Sequence, residues 1–164
     1  VTAAPLTQTI CSQGSFTLNL TSNVTGAAFT WTAAPSSLNL SGFSGGSGNT
    51  ISQSVTNSGY TIETVTYAIT PSASGCTGAA VNFVLTVNPT PDLSNTPPSE
   101  QICNNMPTNV TLTSHVAGTL FTWTCTPSSG NVSGYCDNAV PATILNQTLV
   151  NSGFAIESVT YHVT

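Results

Sequence analysis

Apolar residues recur at every second position in several short stretches of the chain: Phe16/Leu18/Leu20, Phe29/Trp31, Val65/Tyr67/Ile69 and Val81/Phe83/Leu85/Val87. Thr and Ser fill most of the positions between them. A period of two places alternate side chains on opposite faces of a strand, so this pattern describes strands with one face in a core and the other in water. Helix formers are scarce and β-branched residues dominate, which points the same way. Turn-forming clusters separate the stretches at Thr25-Gly26, Ser41 to Asn49, Asn57-Ser58-Gly59 and Pro71 to Gly78. The pattern predicts strands near 6–10, 15–20, 27–33, 37–41, 50–55, 61–70 and 80–88. Seven short strands in roughly 90 residues suggest an all-β, immunoglobulin-like sandwich. Trp31 falls on the third strand, where such domains bury a large aromatic between the sheets, and Tyr67 lies on the apolar face of the sixth.

The pattern then repeats. Ile10-Cys11, Phe29-Thr30-Trp31-Thr32 and Ser41-Gly42 return as Ile102-Cys103, Phe121-Thr122-Trp123-Thr124 and Ser133-Gly134, 92 residues later. Ile51-Ser52-Gln53, Asn57-Ser58-Gly59-Tyr60 and Val65-Thr66-Tyr67 return as Leu145-Asn146-Gln147, Asn151-Ser152-Gly153-Phe154 and Val159-Thr160-Tyr161, 94 residues later. Two tandem domains follow, at 1–90 and 91–164, with Trp123 and Tyr161 expected in the second core. Prolines at 89, 91, 97 and 98 predict a stiff, extended junction. Repeat 2 stops at Thr164, the counterpart of Thr70, and so lacks the last strand in this chain. Either the chain is a window from a longer array, or repeat 2 is an incomplete sandwich that takes a strand from a neighbour. Val1 is not a natural start, which makes the chain a mature product or a piece of something longer.

Composition narrows the function. The chain has no Lys or Arg and five carboxylates, for a net charge of −5. Without cations it cannot neutralise phosphates, which argues against nucleic-acid binding and against attraction to anionic lipid. Trypsin-like proteases find no cleavage site, as suits a protein exposed outside the cell. At 39% apolar residues, with two Trp and six Phe, the chain has enough to build a core despite its low charge. No apolar run reaches the length of a membrane helix, and two short units with polar strand faces do not describe an outer-membrane barrel.

Five cysteines outside any metal-ligand spacing read as an extracellular disulfide set. Cys125 and Cys136 occur only in repeat 2, opposite Ala33 and Ser44, and two cysteines gained together are expected to bond to each other. Cys11 and Cys103 are equivalent, and Cys76 lies in the segment that repeat 2 lacks. Cys11 and Cys76 have two pairings open to them. They bond within repeat 1, or each bonds a cysteine of an adjacent repeat, because in a seven-stranded sandwich their turns lie at opposite ends. On the second scheme the partner of Cys103 lies outside this chain.

The phrases Ile10-Cys11-Ser12, Thr21-Ser22-Asn23-Val24, Phe29-Thr30-Trp31-Thr32, Val65-Thr66-Tyr67, Gly75-Cys76-Thr77-Gly78 and Val87-Asn88-Pro89-Thr90-Pro91 resemble the PKD-like repeats of large surface proteins in Bacteroidota. Those proteins are commonly exported by the type IX secretion system and include gliding-motility-associated adhesins. The resemblance covers nearly the whole chain. It implies an Ig-like β-sandwich and a cell-surface or secreted location, and it carries no catalytic residues.

The remaining candidate chemistry is thin. Glu63 and Glu157 occupy equivalent positions at the start of the sixth strand. One acid per repeat is too few for calcium, and the plainer reading is a carboxylate at a strand end that meets backbone donors or solvent. His115 and His162 replace Asn23 and Ala68, and no nucleophile-elbow motif accompanies either. No metal, cofactor or enzymatic activity is expected. Asn19, Asn23, Asn39, Asn109, Asn131 and Asn146 head Asn-X-Ser/Thr sequons, which are glycan acceptors in a eukaryotic secreted protein and a consequence of composition in a bacterium. The functional expectation is a structural segment of a long extracellular adhesin or filament, a disulfide-stiffened rod whose partners are neighbouring repeats or like subunits. Two alternatives stand beside it. One is a module that grips surface glycans through the Gly/Ser-rich loop 42–49 and its counterpart 134–144, although so glycine-rich a loop is more often a flexible connector. The other is a fibre subunit completed by strand donation.

Overall fold

The computed structural model describes residues 5–95 and 99–164, and the regular elements among them are all strands. The chain divides into two compact units, Val1–Thr90 and Pro91–Thr164. Pro97 and Pro98 of the expected stiff junction lie outside the described residues.

Unit 1 contains β1 (Thr7–Cys11), β2 (Ser15–Asn19), β3 (Ala28–Pro35), β4 (Leu40–Ser41), β5 (Gly46–Ser47), β6 (Thr50–Ser54), β7 (Thr56–Asn57), β8 (Glu63–Ala73), β9 (Cys76–Thr77) and β10 (Val81–Asn88). One sheet runs β1-β10-β8-β3-β5, with β9 folded back on β8. The pairs β2–β6 and β4–β7 supply the other side of the sandwich. All neighbours are antiparallel except β1, which runs parallel to β10 from Thr7 opposite Val84 to Cys11 opposite Asn88.

The alternation of the sequence becomes alternation of burial. Phe16 and Leu18 on β2, Phe29 and Trp31 on β3, Val65, Tyr67 and Ile69 on β8, and Phe83, Leu85 and Val87 on β10 all face one core. The Thr and Ser between them on β2 and β3 face water. Each fully buried large apolar side chain is worth about 1.5–3 kcal/mol relative to exposure. At the centre the rings of Phe16, Tyr67 and Phe83 lie 5.5–6.0 Å apart, the range in which tilted and offset aromatic pairs attract.

The Gly-rich segment 42–49 is no flexible connector, contrary to the expectation from its composition. Within it, β5 pairs with β3, placing Gly46 opposite Trp31 and Ser47 opposite Thr30. A Cβ on Gly46 would come 2.8 Å from the indole ring, so the missing side chain lets the strand lie flat on the tryptophan. Gly42 sits at φ 85°, and a Cβ there would collide with the Ser54 carbonyl oxygen; Gly134 repeats both features against Thr148.

Unit 2 contains β11 (Met106–Pro107), β12 (Val110–Thr111), β13 (Phe121–Pro127), β14 (Val132–Ser133), β15 (Asn138–Ala142), β16 (Ile144–Leu145), β17 (Thr148–Asn151) and β18 (Val159–Val163). Its sheets run β15-β13-β18, β11-β17-β14 and β12-β16. Leu112, Phe121, Trp123 and Leu145 form the core. Among the described residues β18 pairs with β13 alone, whereas its counterpart β8 is flanked by β3 and β10. Tyr161 packs against that core but is only partly buried, while Tyr67 is fully buried. Among the described residues no strand equivalent to β10 covers Tyr161, and Thr108 stands where Phe16 stands in unit 1.

Candidate functional site

Comparing the two units isolates the polar groups that both retain. In unit 1 the Gln53 amide grips the loop ahead of β5: its Nε2 donates to the Ser44 carbonyl at 2.9 Å, and its Oε1 accepts from Ser44 N at 3.2 Å. The Tyr67 hydroxyl donates to the same Oε1 at 2.7 Å. In unit 2 Gln147 Nε2 donates to the Cys136 carbonyl at 2.6 Å, Cys136 N donates to Gln147 Oε1 at 3.0 Å, and Tyr161 donates to that oxygen at 3.0 Å. Burial pushes both phenols up to about 12, so the tyrosines remain protonated donors at neutral pH.

A second shared device follows on β7 and β17. Asn57 is buried. Its Nδ2 donates to the carbonyls of Thr61 at 2.8 Å and Val87 at 3.1 Å, and its Oδ1 accepts from Gly59 N at 2.9 Å. Its backbone exchanges hydrogen bonds with the Ser12 hydroxyl. Asn151 repeats the turn contacts with Ala155 and Gly153, and Asn104 takes the place of Ser12.

Glu63 and Glu157 meet side-chain hydroxyls rather than backbone donors. Ser36 donates to Glu63 and Ser128 to Glu157, and each serine oxygen also accepts a backbone N–H, from Thr64 and Ser158, at 2.9 Å. The Ser36 and Ser128 hydrogen bonds, first among their contacts, lower the two carboxyl pKa values. Both acids therefore brace a turn in their own unit.

In unit 2 Asp92 binds His115 through Nδ1 at 2.7 Å and through the backbone N at 2.9 Å, and accepts the Ser114 hydroxyl at 2.9 Å. The His115 hydrogen bond leads the causes that hold Asp92 down at about 2. Serine, histidine and aspartate are thus adjacent, but Ser114 gives its proton to the aspartate, whereas nucleophilic catalysis requires it to go to the imidazole. The geometry is that of a polar turn.

The cysteines carry free thiols in this structure, the expected Cys125–Cys136 pair included. Its two halves are nevertheless neighbours, with the Cys125 thiol donating to the Cys136 carbonyl at 2.9 Å. Burial first, then the nearby Asp137 and Cys136, raises the Cys125 pKa, which keeps it a thiol and a poor nucleophile. The thiol also occupies an acceptor. In unit 1 Trp31 Nε1 donates to the equivalent Ser44 carbonyl at 3.2 Å, whereas Trp123 Nε1 is buried without a hydrogen-bond partner among the described residues.

A Cys11–Cys76 bond within repeat 1, one of the two pairings left open by the sequence, does not fit the fold. Cys11 lies opposite Asn88, one step beyond Val87, which faces Glu63 at the start of β8; Cys76 faces Ala73 at the end of β8. Ten residues of strand at about 3.3 Å each separate the two levels by roughly 30 Å, and a disulfide spans under about 7 Å between Cα atoms. Cys11, Cys76 and Cys103 are all exposed. The sequon residues Asn19, Asn23, Asn39, Asn109, Asn131 and Asn146 are exposed as well.

Gln53, Asn57 and Ser36 were not singled out by composition or motif. Their signal was present in the repeat, since Gln147, Asn151 and Ser128 recur at the same offsets, but a recurring polar residue does not name its partner.

The sequence profile of the PKD-like domain matches the chain twice, over residues 8–91 and 100–164. No curated protein matches it.

Proposed function

The chain belongs to the PKD-like domain family, in two tandem copies, and from that premise we propose that it is a structural repeat segment of a long extracellular adhesin or filament. The parent protein is of the Bacteroidota surface type, exported by the type IX route. One observation carries this reading. The polar groups that recur in both units are engaged in holding turns and loops: Gln53 and Gln147 on the loop before β5 and β15, Asn57 and Asn151 on the turn after β7 and β17, and Ser36 and Ser128 on the backbone of Thr64 and Ser158. What duplication has kept is shape, and repeated shape builds length and spacing.

The topology suits a load-bearing role. In unit 1 the first and last strands are parallel neighbours. Pulling the two ends of the unit apart slides β1 against β10 and loads their hydrogen bonds together rather than one at a time.

Antibodies raised against the chain are expected to label the outside of intact cells, and the adjoining coding sequence is expected to contain further copies at the same 92-residue spacing. Labelling confined to the cytoplasm, or a gene without further copies, overturns the reading. The edge of β18 away from β13 favours a second reading, a fibre subunit completed by a neighbour's strand. A synthetic peptide of the Pro71–Asn88 sequence that binds the chain and protects Tyr161 supports it, and failure to bind removes it. Glycan binding lost on replacing 42–49 and 134–144 would instead favour a carbohydrate-binding module.

A further inference from the structure

In unit 1 the chain comes in and leaves at opposite ends of the sandwich, and each end carries one exposed thiol. β1 begins at Thr7, level with Val84, and advances in parallel with β10 to Cys11, level with Asn88. The chain leaves unit 1 just beyond, through Pro89 and Thr90. Cys11 therefore marks the outbound end. β8 runs the opposite way, and its hairpin with β9 projects Cys76 at the inbound end.

Both thiols sit on well-defined backbone. The Cys11 carbonyl accepts from Gly14 N at 2.8 Å, and Ser12 N donates to the Asn88 carbonyl at 2.8 Å. Buried Asn57 holds the same end through Ser12. Unit 2 rebuilds this end, with Met106 N donating to the Cys103 carbonyl and Asn104 pairing with Asn151. At the inbound end Cys76 follows a two-residue turn, Ser74 at φ 50° and Gly75 at φ 79°, the left-handed pair that tight hairpins require.

We propose that these thiols are the two halves of a polar, head-to-tail covalent junction between molecules: the outbound thiol of one molecule, Cys11 or Cys103, bonds the hairpin thiol Cys76 at the inbound end of another. The inference rests on the structural-repeat reading and names the partner surface, a second copy of the same domain. Unlike ends meet, so the contact is heterologous and propagates in one direction rather than closing into a dimer. Each junction forms one S–S bond from two S–H groups. The two protons and two electrons pass to an external oxidant of the thiol–disulfide oxidase class, or to diamide in vitro, which is reduced to its hydrazine.

The chain carrying Cys125→Ala and Cys136→Ser, which restores the residues of unit 1, isolates the three thiols. Treated with diamide at high protein concentration, it is expected to give a ladder of covalent oligomers. Peptic digestion (trypsin has no site) followed by mass spectrometry is expected to join Cys76 to Cys103 or Cys11 of another molecule. Adding Cys76→Ser is expected to abolish the ladder, with the tryptophan emission of the folded chain unchanged. A chain that stays monomeric, like-with-like bonds as frequent as mixed ones, or a ladder that survives Cys76→Ser overturns the junction. None of these outcomes touches the structural-repeat reading, which rests on the hydrogen-bonded clamps and is tested by surface labelling.

Discussion

The hydroxyl of Tyr67 donates to Oε1 of Gln53 across 2.7 Å, and through that amide a residue in the middle of β8 holds the loop that lies over Trp31. The side chain acts as a strut between the sheet and a segment that composition alone marks as loose. Removing its two ends has unequal costs. Tyr67→Phe deletes one hydrogen bond and is expected to cost about 1 kcal/mol. Gln53→Ala strips Ser44 of all three hydrogen bonds to the amide and leaves the buried phenol without its acceptor, for about 2–3 kcal/mol. Urea denaturation followed by tryptophan emission measures both; equal effects would show that the loop does not depend on the amide.

Cys125 and Cys136 are expected to be oxidised to a disulfide in material from outside the cell. They are 11 residues apart, and closing a loop of that size stabilises by about 2–3 kcal/mol. Oxidation also removes the thiol proton that now engages the Cys136 carbonyl, freeing that acceptor for Trp123 Nε1. The indole N–H of Trp123 should therefore exchange with solvent more slowly in the oxidised chain than in the reduced one, as read by NMR. Unchanged exchange would mean that the thiol is not what displaces the indole.

The Asp92–His115 contact predicts a response to acid. The folded pKa of Asp92 is about 2, below the ordinary aspartate value of about 4. Its stabilising contribution is complete above the ordinary value and is lost as pH falls through about 2. Melting midpoints of the chain and of Asp92→Asn, recorded from pH 5 downward, should differ most at the upper end and converge near the lower. Glu63 and Glu157, also lowered, are present in both proteins, so the difference isolates Asp92. A constant offset would refute the assignment.

Under tension the two units should part company. Unit 1 joins its first and last strands through five paired positions, and among the described residues unit 2 has no such pair. Force spectroscopy on the chain held by its ends is expected to show unit 2 yielding first and unit 1 at higher force, because forced unfolding follows the unfolding barrier. Indistinguishable rupture forces would mean that β1 and β10 do not bear the load.

The strands were legible in the sequence because a period of two is a local signal, and Phe16/Leu18 and Val65/Tyr67/Ile69 announce their buried face without reference to any partner. Segment 42–49 reads as a loose connector for the complementary reason: glycine marks conformational freedom in isolation, and only the approach of Trp31 turns Gly46 into a packing requirement. Tyr161 shares its sequence environment with Tyr67 but not its burial, since burial belongs to the covering strand and to Phe16, not to the tyrosine.

Duplication and alternation therefore determined, from the sequence alone, that this protein is a pair of β-sandwiches with Trp31 and Trp123 on equivalent strands. Only the tertiary structure decided which groups act together. It placed Cys11 and Cys76 at opposite ends of one sheet, tied Tyr67 to Gln53, and set Ser114 against Asp92. The physical reason is that alternation assigns a face to each side chain, whereas position along the sandwich depends on strand order and register, which are set by contacts between residues far apart in the chain.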